Sequence, residues 1–354
     1  MCKDTSAIPS SSNNKNNKNS KSIDNKETPG RVVTPPISTS VSPSFSKNAS
    51  MAELVDQYDG FILDQYGVLH NGVTGLPGAP EAVSKLYAMG KRLVILSNSS
   101  ASSVTCQAKL PALGYDPSQF VGTVTSGQEA AEFIERHCKK PTKVLFLTWK
   151  TPRTPSPLLF LELCGPNITV TDDPQQADLV ILHGVDVLRG PGLDGQATEH
   201  SLGNFMVTGN MDRIDPILQE CADRQLPMIC ANPDFVMVRP DGSIGHMHGK
   251  IADRYENCYG GHVISFGKPH KEHFQACLEK LRLPKHKVAH VGDSLVHDVA
   301  GANATGVASI FITSGIHRQE LQVELGEMPT TDALETLFEK NSQTPTHVMP
   351  LFRF

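Results

Sequence analysis

From residue 51 onward, short apolar runs alternate with amphipathic segments along the chain. Runs such as Phe61–Leu63 and Arg92–Leu96 are bounded by Gly, Pro and polar turn residues, which predicts buried strands. The segments between them predict helices; the one over 81–89, for example, follows Pro80 and stops at Gly90, positions typical of helix ends. This repeated β-α alternation predicts a doubly wound parallel sheet with functional groups at the carboxyl ends of its strands.

The alternation is preceded by a different segment and interrupted once. Residues 1–50 are rich in Ser, Asn, Lys and Pro and show no apolar period, so we expect a disordered tail. The middle of the chain restarts with its own set of strands, and the last part returns to the first pattern. We therefore predict a core domain built from 51–139 and 248–354, with an α/β domain over 140–247 inserted into it.

Composition narrows the classes of function. The net charge of −5 argues against a nucleic-acid-binding surface, and no apolar stretch approaches the roughly 20 residues of a membrane-spanning helix. Eight cysteines form no C-x-x-C pair, which gives no sign of a zinc or redox site and favours reduced thiols. We expect a cytoplasmic protein without nucleic-acid or membrane partners, and we leave open organelle targeting by the tail.

Polar residues follow the predicted strands at the positions where a parallel sheet presents its active face. The strand over 61–63 ends on Asp64, the strand over 92–96 on Ser97 and Asn98, and a third on Lys268. A fourth strand, 287–291, leads to Asp293 and Asp298. Each residue alone also fits a cap, a turn or a solvated surface, but their shared strand-end position favours one site.

These residue types suit phosphoryl transfer. A carboxylate such as Asp64 can attack phosphorus and divide hydrolysis into two easier steps through an aspartyl phosphate. Charge on the transferred group needs donors and cations in place, which Ser97, Asn98 and Lys268 can supply. Mg²⁺ prefers hard oxygen ligands, so we expect a Mg²⁺ site at Asp64, a main-chain carbonyl and Asp293.

At this point the chain resembles the haloacid dehalogenase (HAD) superfamily, in its subclass IIA with a large α/β cap between the second and third motifs. The resemblance lies in Asp64-Gln65-Tyr66-Gly67-Val68, Ser97-Asn98, Gly267-Lys268-Pro269, and Gly292-Asp293-Ser294 with Asp298. It implies a Rossmann-like core, a phosphorylated small-molecule substrate, and a cap that sets specificity; it also leaves room for a homodimer formed through the cap. It implies Asp64 and Lys268 as catalytic residues, and Asp64, the main-chain carbonyl of Tyr66, Asp293 and Asp298 as metal ligands.

Tyr66 departs from the family pattern. Phosphatases of this family usually have Asp-x-Asp-Gly, and the second Asp protonates the leaving group. A phenol with a pKa near 10 cannot replace it, and general acid–base help is worth roughly 10²–10⁴-fold. We predict a slow Mg²⁺-dependent phosphatase that favours good leaving groups. Two alternatives stay open: a non-catalytic phosphometabolite-binding or regulatory relative, and a 2-haloacid dehalogenase, whose opening motif is similar.

Three further features have competing interpretations. His70 could substitute for the missing acid, although a loop histidine more often has a structural role. His246 and His248 flank Met247 and could form a metal site with Asp241, but their spacing fits no familiar zinc site. Trp149, the only tryptophan, could line the substrate cleft or pack in a core.

Overall fold

The computed structural model describes residues 45–153, 155–239 and 241–354. The predicted tail of residues 1–50 therefore lies mostly outside the described residues. Its last part does not: Ser46 and Lys47 form a strand that pairs with the strand at His347–Met349, so the expectation of disorder up to residue 50 is wrong there. Backbone pairing with a distant strand gives these residues order that their polar composition does not reveal.

The first sheet is buried on both faces because its strands are apolar at successive positions. Phe61 and Leu63 contribute to one hydrophobic core, whereas Ile62 between them contributes to another. Successive side chains of a strand point to opposite faces, so such a strand needs cover on both sides. All strands and helices are numbered in chain order, and strands β5 to β13 lie in the middle of the chain. The strands of the first sheet are β1 (Ser46–Lys47), β2 (Gly60–Leu63), β3 (Arg92–Ser97), β4 (Gly122–Thr125), β14 (Val288–Gly292), β15 (Ala308–Ile312) and β16 (His347–Met349). They pair in parallel in the order β1-β16-β15-β14-β2-β3-β4.

A second sheet forms from the middle of the chain. Its strands are β5 (Thr142–Thr148), β6 (Ile168–Val170), β7 (Leu179–Leu182), β8 (Val187–Arg189), β9 (Glu199–Ser201), β10 (Met228–Cys230) and β13 (Val263–Ser265). The main path runs β13-β10-β7-β5-β8-β9, with β6 paired to β5. A separate antiparallel hairpin of β11 (Val236–Val238) and β12 (Ile244–His246) pairs with neither large sheet.

Helices cover both sheets. Those of the first domain are α1 (Ala79–Ala88), α2 (Ser103–Lys109), α8 (Lys271–Leu281), α9 (Ala300–Thr305) and α10 (Thr331–Asn341), and a π-helical turn over Leu295–Val299 precedes α9. Those of the second domain are α3 (Ser126–His137), α4 (Leu158–Leu163), α5 (Phe205–Thr208), α6 (Asp215–Asp223) and α7 (His248–Tyr259). Within the described ranges, no helix combines the length and apolarity needed to cross a membrane.

The inserted domain is longer than the sequence predicted. Strand β13 lies beyond the expected boundary at 247, yet it pairs with β10 of the second sheet, and α7 packs into the core of the same domain through Ile251 and Tyr255. Helix α3, before the expected start at 140, packs on the second sheet through Ile134. The alternation of strands and helices looks the same in both domains, so the sequence does not reveal which sheet a strand joins.

Candidate active site

Asp64 lies at the end of an interior strand of the first sheet. It directly follows β2, whose neighbours are β3 and β14, and its main-chain N–H donates to the Val291 carbonyl at 2.9 Å. Ser97 ends β3, and Asp293 follows β14. Because these three parallel strands end at one edge, the prediction that Asp64, Ser97 and Asp293 share that edge is confirmed.

Lys268 reaches the same place by another route. The sequence suggested that it ends a strand of the first sheet, but the preceding β13 belongs to the second sheet, so Lys268 lies on the connection between the domains. Its ammonium donates to Asp64 Oδ1 at 2.6 Å and to Asp298 Oδ1 at 2.8 Å. With a relative exposure of 3%, it is a buried cation shared by two carboxylates.

Asp298 is fully engaged by its neighbours. Its Oδ1 accepts from Lys268 and, at 2.7 Å, from Nε2 of His290, while Oδ2 accepts from the Ser294 main-chain N–H at 3.0 Å. Burial alone would raise the pKa of Asp298, but Lys268 and His290 outweigh burial and hold it below its usual range. Asp298 therefore keeps its negative charge and orients Lys268.

His290 was not among the residues singled out from the sequence. It lies in β14 with 0% relative exposure, and its ring contacts Phe274 edge-on with centroids 5.0 Å apart. The available signal was a titratable side chain in the middle of the apolar run 288–291. Such a residue is buried only when it has a partner, and here that partner is Asp298.

Asp293 is enclosed by backbone. Its Oδ2 accepts from the Ile316 main-chain N–H at 2.8 Å, and Gly67 and Gly315 approach the carboxylate so closely that a Cβ on either would collide with it. Gly67 also has φ = 85°, in the region that favours glycine. These two glycines let the loops after β2 and β15 close around the acidic group.

The acidic cluster carries more negative charge than its single cation neutralises. Burial raises the pKa of Asp64 to about 7, with Lys268 opposing and Asp298 reinforcing the rise. Burial, together with the charges of Asp64 and Asp298, raises the pKa of Asp293 well above its usual value. Proximity of carboxylates in a buried site makes the ionised state costly unless a further cation is present.

This donor set fits a hard divalent cation. Oxygens of Asp64, Asp293 and Asp298 all lie within 4.8 Å of one another, and the three residues are buried. Mg²⁺ and Ca²⁺ both bind carboxylate and carbonyl oxygens. Since both oxygens of Asp298 already accept hydrogen bonds, Asp64 and Asp293 are the carboxylates best suited to direct contact with the ion.

A cleft of about 790 Å³ opens over this cluster. The volume suits a small organic ligand. Its walls come from both domains: the first contributes the acidic cluster, and the second contributes apolar and aromatic side chains, of which Trp149, Phe160 and Met247 are examples. Trp149 packs in the core of the second domain and also faces the cleft, so both interpretations of this residue hold.

Ser97 and Asn98 line the cleft but already have partners. The Asn98 side chain accepts from the Lys268 main-chain N–H at 2.7 Å and donates to Asp234 Oδ1 at 2.7 Å. Ser97 Oγ accepts from the Ser99 main-chain N–H at 3.2 Å. Asn98 therefore fixes the Lys268 backbone and joins the two domains through Asp234; for both residues, binding of substrate stays a prediction.

Tyr66 does not point its hydroxyl at Asp64. The hydroxyl donates to the Val238 carbonyl in β11 at 2.5 Å, and the ring meets His70 edge-on with centroids 5.8 Å apart. Burial, followed by the charges of Asp293 and Asp241, raises the pKa of Tyr66 above its usual value of 10. Its phenol is therefore a weaker acid than a free tyrosine.

The histidines proposed for special roles are held in other ways. His70 is buried, its Nδ1 accepts from the Gly72 main-chain N–H at 3.0 Å, and burial lowers its pKa to about 4, so it is neutral near pH 7. His246 Nδ1 accepts from Lys250 at 2.7 Å, whereas His248 Nε2 bonds the His183 carbonyl at 2.8 Å. Among the described residues, these histidines form no metal-ligand cluster with Asp241.

Comparison with known families agrees with this arrangement. Models described as haloacid dehalogenase-like hydrolase match residues 61–154 and 200–306, and a HAD-hydrolase-like model matches 265–348, so that together they span more than half of the chain. The chain belongs to the haloacid dehalogenase-like hydrolases. The matched segments include five residues that line the cleft: Asp64, Asn98, Lys268, Asp293 and Asp298.

Individual members of the HAD-like family are distant in sequence. Human chronophin is 22% identical over 282 residues, which cover 77% of this chain and 87% of chronophin. Sugar-phosphatase AraL of Bacillus subtilis is 24% identical over 261 residues, covering 73% and 85%. A haloacid dehalogenase-like hydrolase from Brucella suis shares the fold with a TM-score of 0.64 at 21% identity, covering 86% of this chain and 99% of that one. The predicted fold class, a Rossmann-like α/β core with a second α/β domain, is confirmed.

Proposed function

We propose that this protein is a phosphatase that hydrolyses a small phosphorylated metabolite through an aspartyl phosphate on Asp64, with Mg²⁺ as its metal. The observation that carries the proposal is the buried Asp64 carboxylate, hydrogen-bonded to Lys268 inside an acidic cluster that lines the cleft. The names of two relatives, sugar-phosphatase AraL and 4-nitrophenylphosphatase, agree with this chemistry.

In the first step an Asp64 oxygen attacks phosphorus. The new O–P bond forms as the ester P–O bond breaks, and the ester oxygen leaves with the bonding electron pair as an alkoxide or phenoxide, which then takes a proton from water. Lys268 orients the attacking carboxylate and offers an ammonium near the transferring group, while Ser97 and Asn98 lie beside it. Donors that are already in place stabilise the developing charge without reorganisation.

In the second step water attacks the acyl phosphate, which returns Asp64 and releases inorganic phosphate. Asp64 and Asp293, with the main-chain carbonyl of Tyr66, would hold Mg²⁺, and Asp298 would complete the acidic cluster. When bound, the ion supplies positive charge that screens the carboxylates from the anionic substrate and stabilises charge on the transferring oxygens.

Neither Tyr66 nor His70 provides this site with a general acid for the leaving group. Tyr66 donates its proton to the Val238 carbonyl and has a raised pKa, and His70 is neutral and buried. Neither is suited to protonate a poor leaving group. We therefore propose a slow enzyme that hydrolyses aryl phosphates, whose leaving groups need little protonation, faster than alkyl phosphates.

The test is a phosphate-release screen over a panel of aryl and alkyl phosphomonoesters with Mg²⁺. The Asp64→Asn variant is the control, because it keeps the shape of the side chain and removes the nucleophile. Release by the parent protein that disappears in this variant supports the proposal. Release that persists in the variant assigns the activity to a contaminant or another residue, and contradicts the proposal.

The position of Tyr66 also favours a second candidate, a phosphometabolite-binding relative with little turnover. Binding of a phosphorylated ligand without phosphate release in either protein would favour this candidate. The dehalogenase alternative requires no metal, so halide release from a 2-haloacid that is unchanged by EDTA would favour it. The acidic cluster of Asp64, Asp293 and Asp298 is the observation that speaks against it.

A further inference from the structure

Tyr66 connects the nucleophile loop to the second domain. It lies two residues after Asp64, and its hydroxyl donates to the Val238 carbonyl at 2.5 Å, across 172 positions of sequence. The ring is seated between His70, which it meets edge-on, and Gly72, where a Cβ would lie 2.9 Å from the ring. This close packing directs the hydroxyl away from Asp64 and toward β11.

The β11–β12 hairpin, which receives this bond, forms part of the cleft. Val236, Met237, Val238 and Arg239 all line it. The hairpin is a two-stranded unit outside both large sheets, and an isolated two-stranded ribbon has little stability of its own. Its position over the cleft therefore depends on the contacts it makes with its surroundings.

The base of the hairpin rests on the second domain. Met237 packs against the core of that domain, and His246 accepts from Lys250 of α7. Its other end contacts the first domain, where Gln319 Nε2 donates to the Gly242 carbonyl at 3.3 Å. Tyr66 and Gln319 come from two different loops of the first domain, and each donates to a main-chain carbonyl of the hairpin segment.

Arg239 places a positive charge on the part of the hairpin that lines the cleft. It directly follows Val238, lines the cleft, and makes no ion pair within the described residues. After hydrogen bonds from Ser243, the charge of Arg239 helps to lower the pKa of the nearby Asp241 carboxylate, and a guanidinium at the wall of a cleft that forms no direct ion pair is suited to an anionic ligand. Fixing the Val238 carbonyl fixes the backbone from which this side chain extends.

We propose that Tyr66 is a positioning residue whose hydroxyl anchors the β11–β12 hairpin as a wall of the substrate cleft. The side chain that stands where relatives have an acid then contributes to substrate affinity instead of proton transfer. The kinetic part of this proposal rests on the proposed phosphatase function, whereas the structural part does not.

The expected effects are modest and local. A neutral hydrogen bond of this kind, once lost, changes an equilibrium by about two- to tenfold. The Tyr66→Phe variant keeps the ring and its packing, so KM for phosphomonoesters should rise about two- to tenfold while kcat changes less than about twofold. Loss of binding without loss of chemistry marks an interaction made equally in the ground and transition states.

Hydrogen–deuterium exchange supplies a readout that needs no turnover. In Tyr66→Phe, the amides of β11 and β12 should exchange about two- to tenfold faster, with those of β5 and β14 unchanged. Gln319→Ala should shift the same amides in the same direction. The matched control is Tyr87→Phe, which removes the hydroxyl of a tyrosine that is 50% exposed on α1 and should change neither exchange nor KM.

Three results would overturn the proposal. One is unchanged exchange in the hairpin; another is faster exchange throughout both domains, which would mean general destabilisation. The third is a fall in kcat at constant KM, which would assign the hydroxyl to the chemical step. If the parent protein hydrolyses no phosphomonoester, the phosphatase function fails, and the exchange measurement still decides whether Tyr66 anchors the hairpin.

Discussion

The Tyr66→Asp substitution tests the explanation of the site most directly. It introduces a carboxyl group two residues after the nucleophile, where phosphatases of this family carry their acid. Burial and, after it, the charge of Asp293 already raise the pKa of Tyr66, and the same surroundings should raise the pKa of the new carboxyl. A carboxyl with a raised pKa can stay protonated near neutral pH and donate a proton to a leaving alkoxide.

Two opposing effects set the expected magnitude. General acid catalysis contributes roughly 10²–10⁴-fold for a poor leaving group. The substitution also removes the bond from Tyr66 to Val238, which costs about 0.5–1.5 kcal/mol, or roughly two- to tenfold in binding. For alkyl phosphates, kcat/KM should therefore rise about 10-fold to 5 × 10³-fold. For aryl phosphates, which need little protonation, it should stay level or fall.

The assay compares initial rates of phosphate release from an alkyl and an aryl monoester at saturating Mg²⁺. The ratio of the two rates is the useful quantity, because damage to the hairpin affects both substrates and cancels. Tyr66→Asn is the matched control: it has the shape of the aspartate and also loses the Tyr66 bond, but it cannot donate a carboxyl proton. The ratio should rise with Asp and not with Asn, and a decline in rate at high pH should appear only with Asp.

An unchanged ratio would refute this reasoning. It would mean that another group already protonates the leaving group, or that the side chain at position 66 cannot approach it. An equal rise of the ratio in Tyr66→Asn would also refute it, because the gain would then come from the loss of the large tyrosine side chain and not from a carboxyl proton.

Three other perturbations have definite expected results. Replacing Lys268 with Met removes the ammonium that donates to Asp64 and Asp298, so kcat measured by phosphate release should fall about 10²-fold or more. A kcat within about threefold of the parent value would exclude a catalytic role for Lys268. The Asp293→Asn variant should bind Mg²⁺ at least tenfold more weakly by calorimetry, and EDTA should abolish turnover of the parent protein; full activity in EDTA would contradict the metal assignment. His273 Nε2 accepts from the Gly267 N–H at 2.7 Å, and burial lowers the pKa of His273 to about 4. Between pH about 6.5 and 4 the unfolded chain therefore binds more protons than the folded chain. As the pH falls through this range, the free energy of unfolding should decrease by up to roughly 1.4 kcal/mol per pH unit because of this group. Urea unfolding at pH 7 and 5 checks this, and His273→Gln, which can keep the acceptor, should show a shallower loss; an equal slope in both proteins would contradict it.

The local elements of the fold could be predicted from the sequence. Continuous apolar runs predict buried parallel strands, and the runs that form β2, β3 and β14 were predicted as strands. Which sheet each strand joins was harder. β13 looks like another strand of the core, but its pairing with β10 is a long-range choice that local pattern does not encode.

The site divides in the same way. Asp64, Ser97 and Asp293 could be nominated because strand ends of one sheet meet at one edge and because their residue types suit phosphoryl transfer. Lys268 could be nominated by its residue type, but the strand before it belongs to the second sheet. His290 was missed because its role depends on Asp298, which lies eight positions further along the chain, beyond the strand, and returns to it through the π-helical turn.

By itself, the sequence determined the alternation of strands and helices, the family, the strand-end position of Asp64 and the absence of a carboxylic acid at Tyr66, because strand periodicity and residue chemistry are local properties. Only the tertiary structure decided that Lys268 bridges two carboxylates, that Asn98 ties the domains through Asp234, and that the Tyr66 hydroxyl bonds a hairpin carbonyl. Those contacts join residues from 30 to more than 200 positions apart. The packing of the two domains selects which of the available donors and acceptors form hydrogen bonds, and no local sequence pattern encodes that choice.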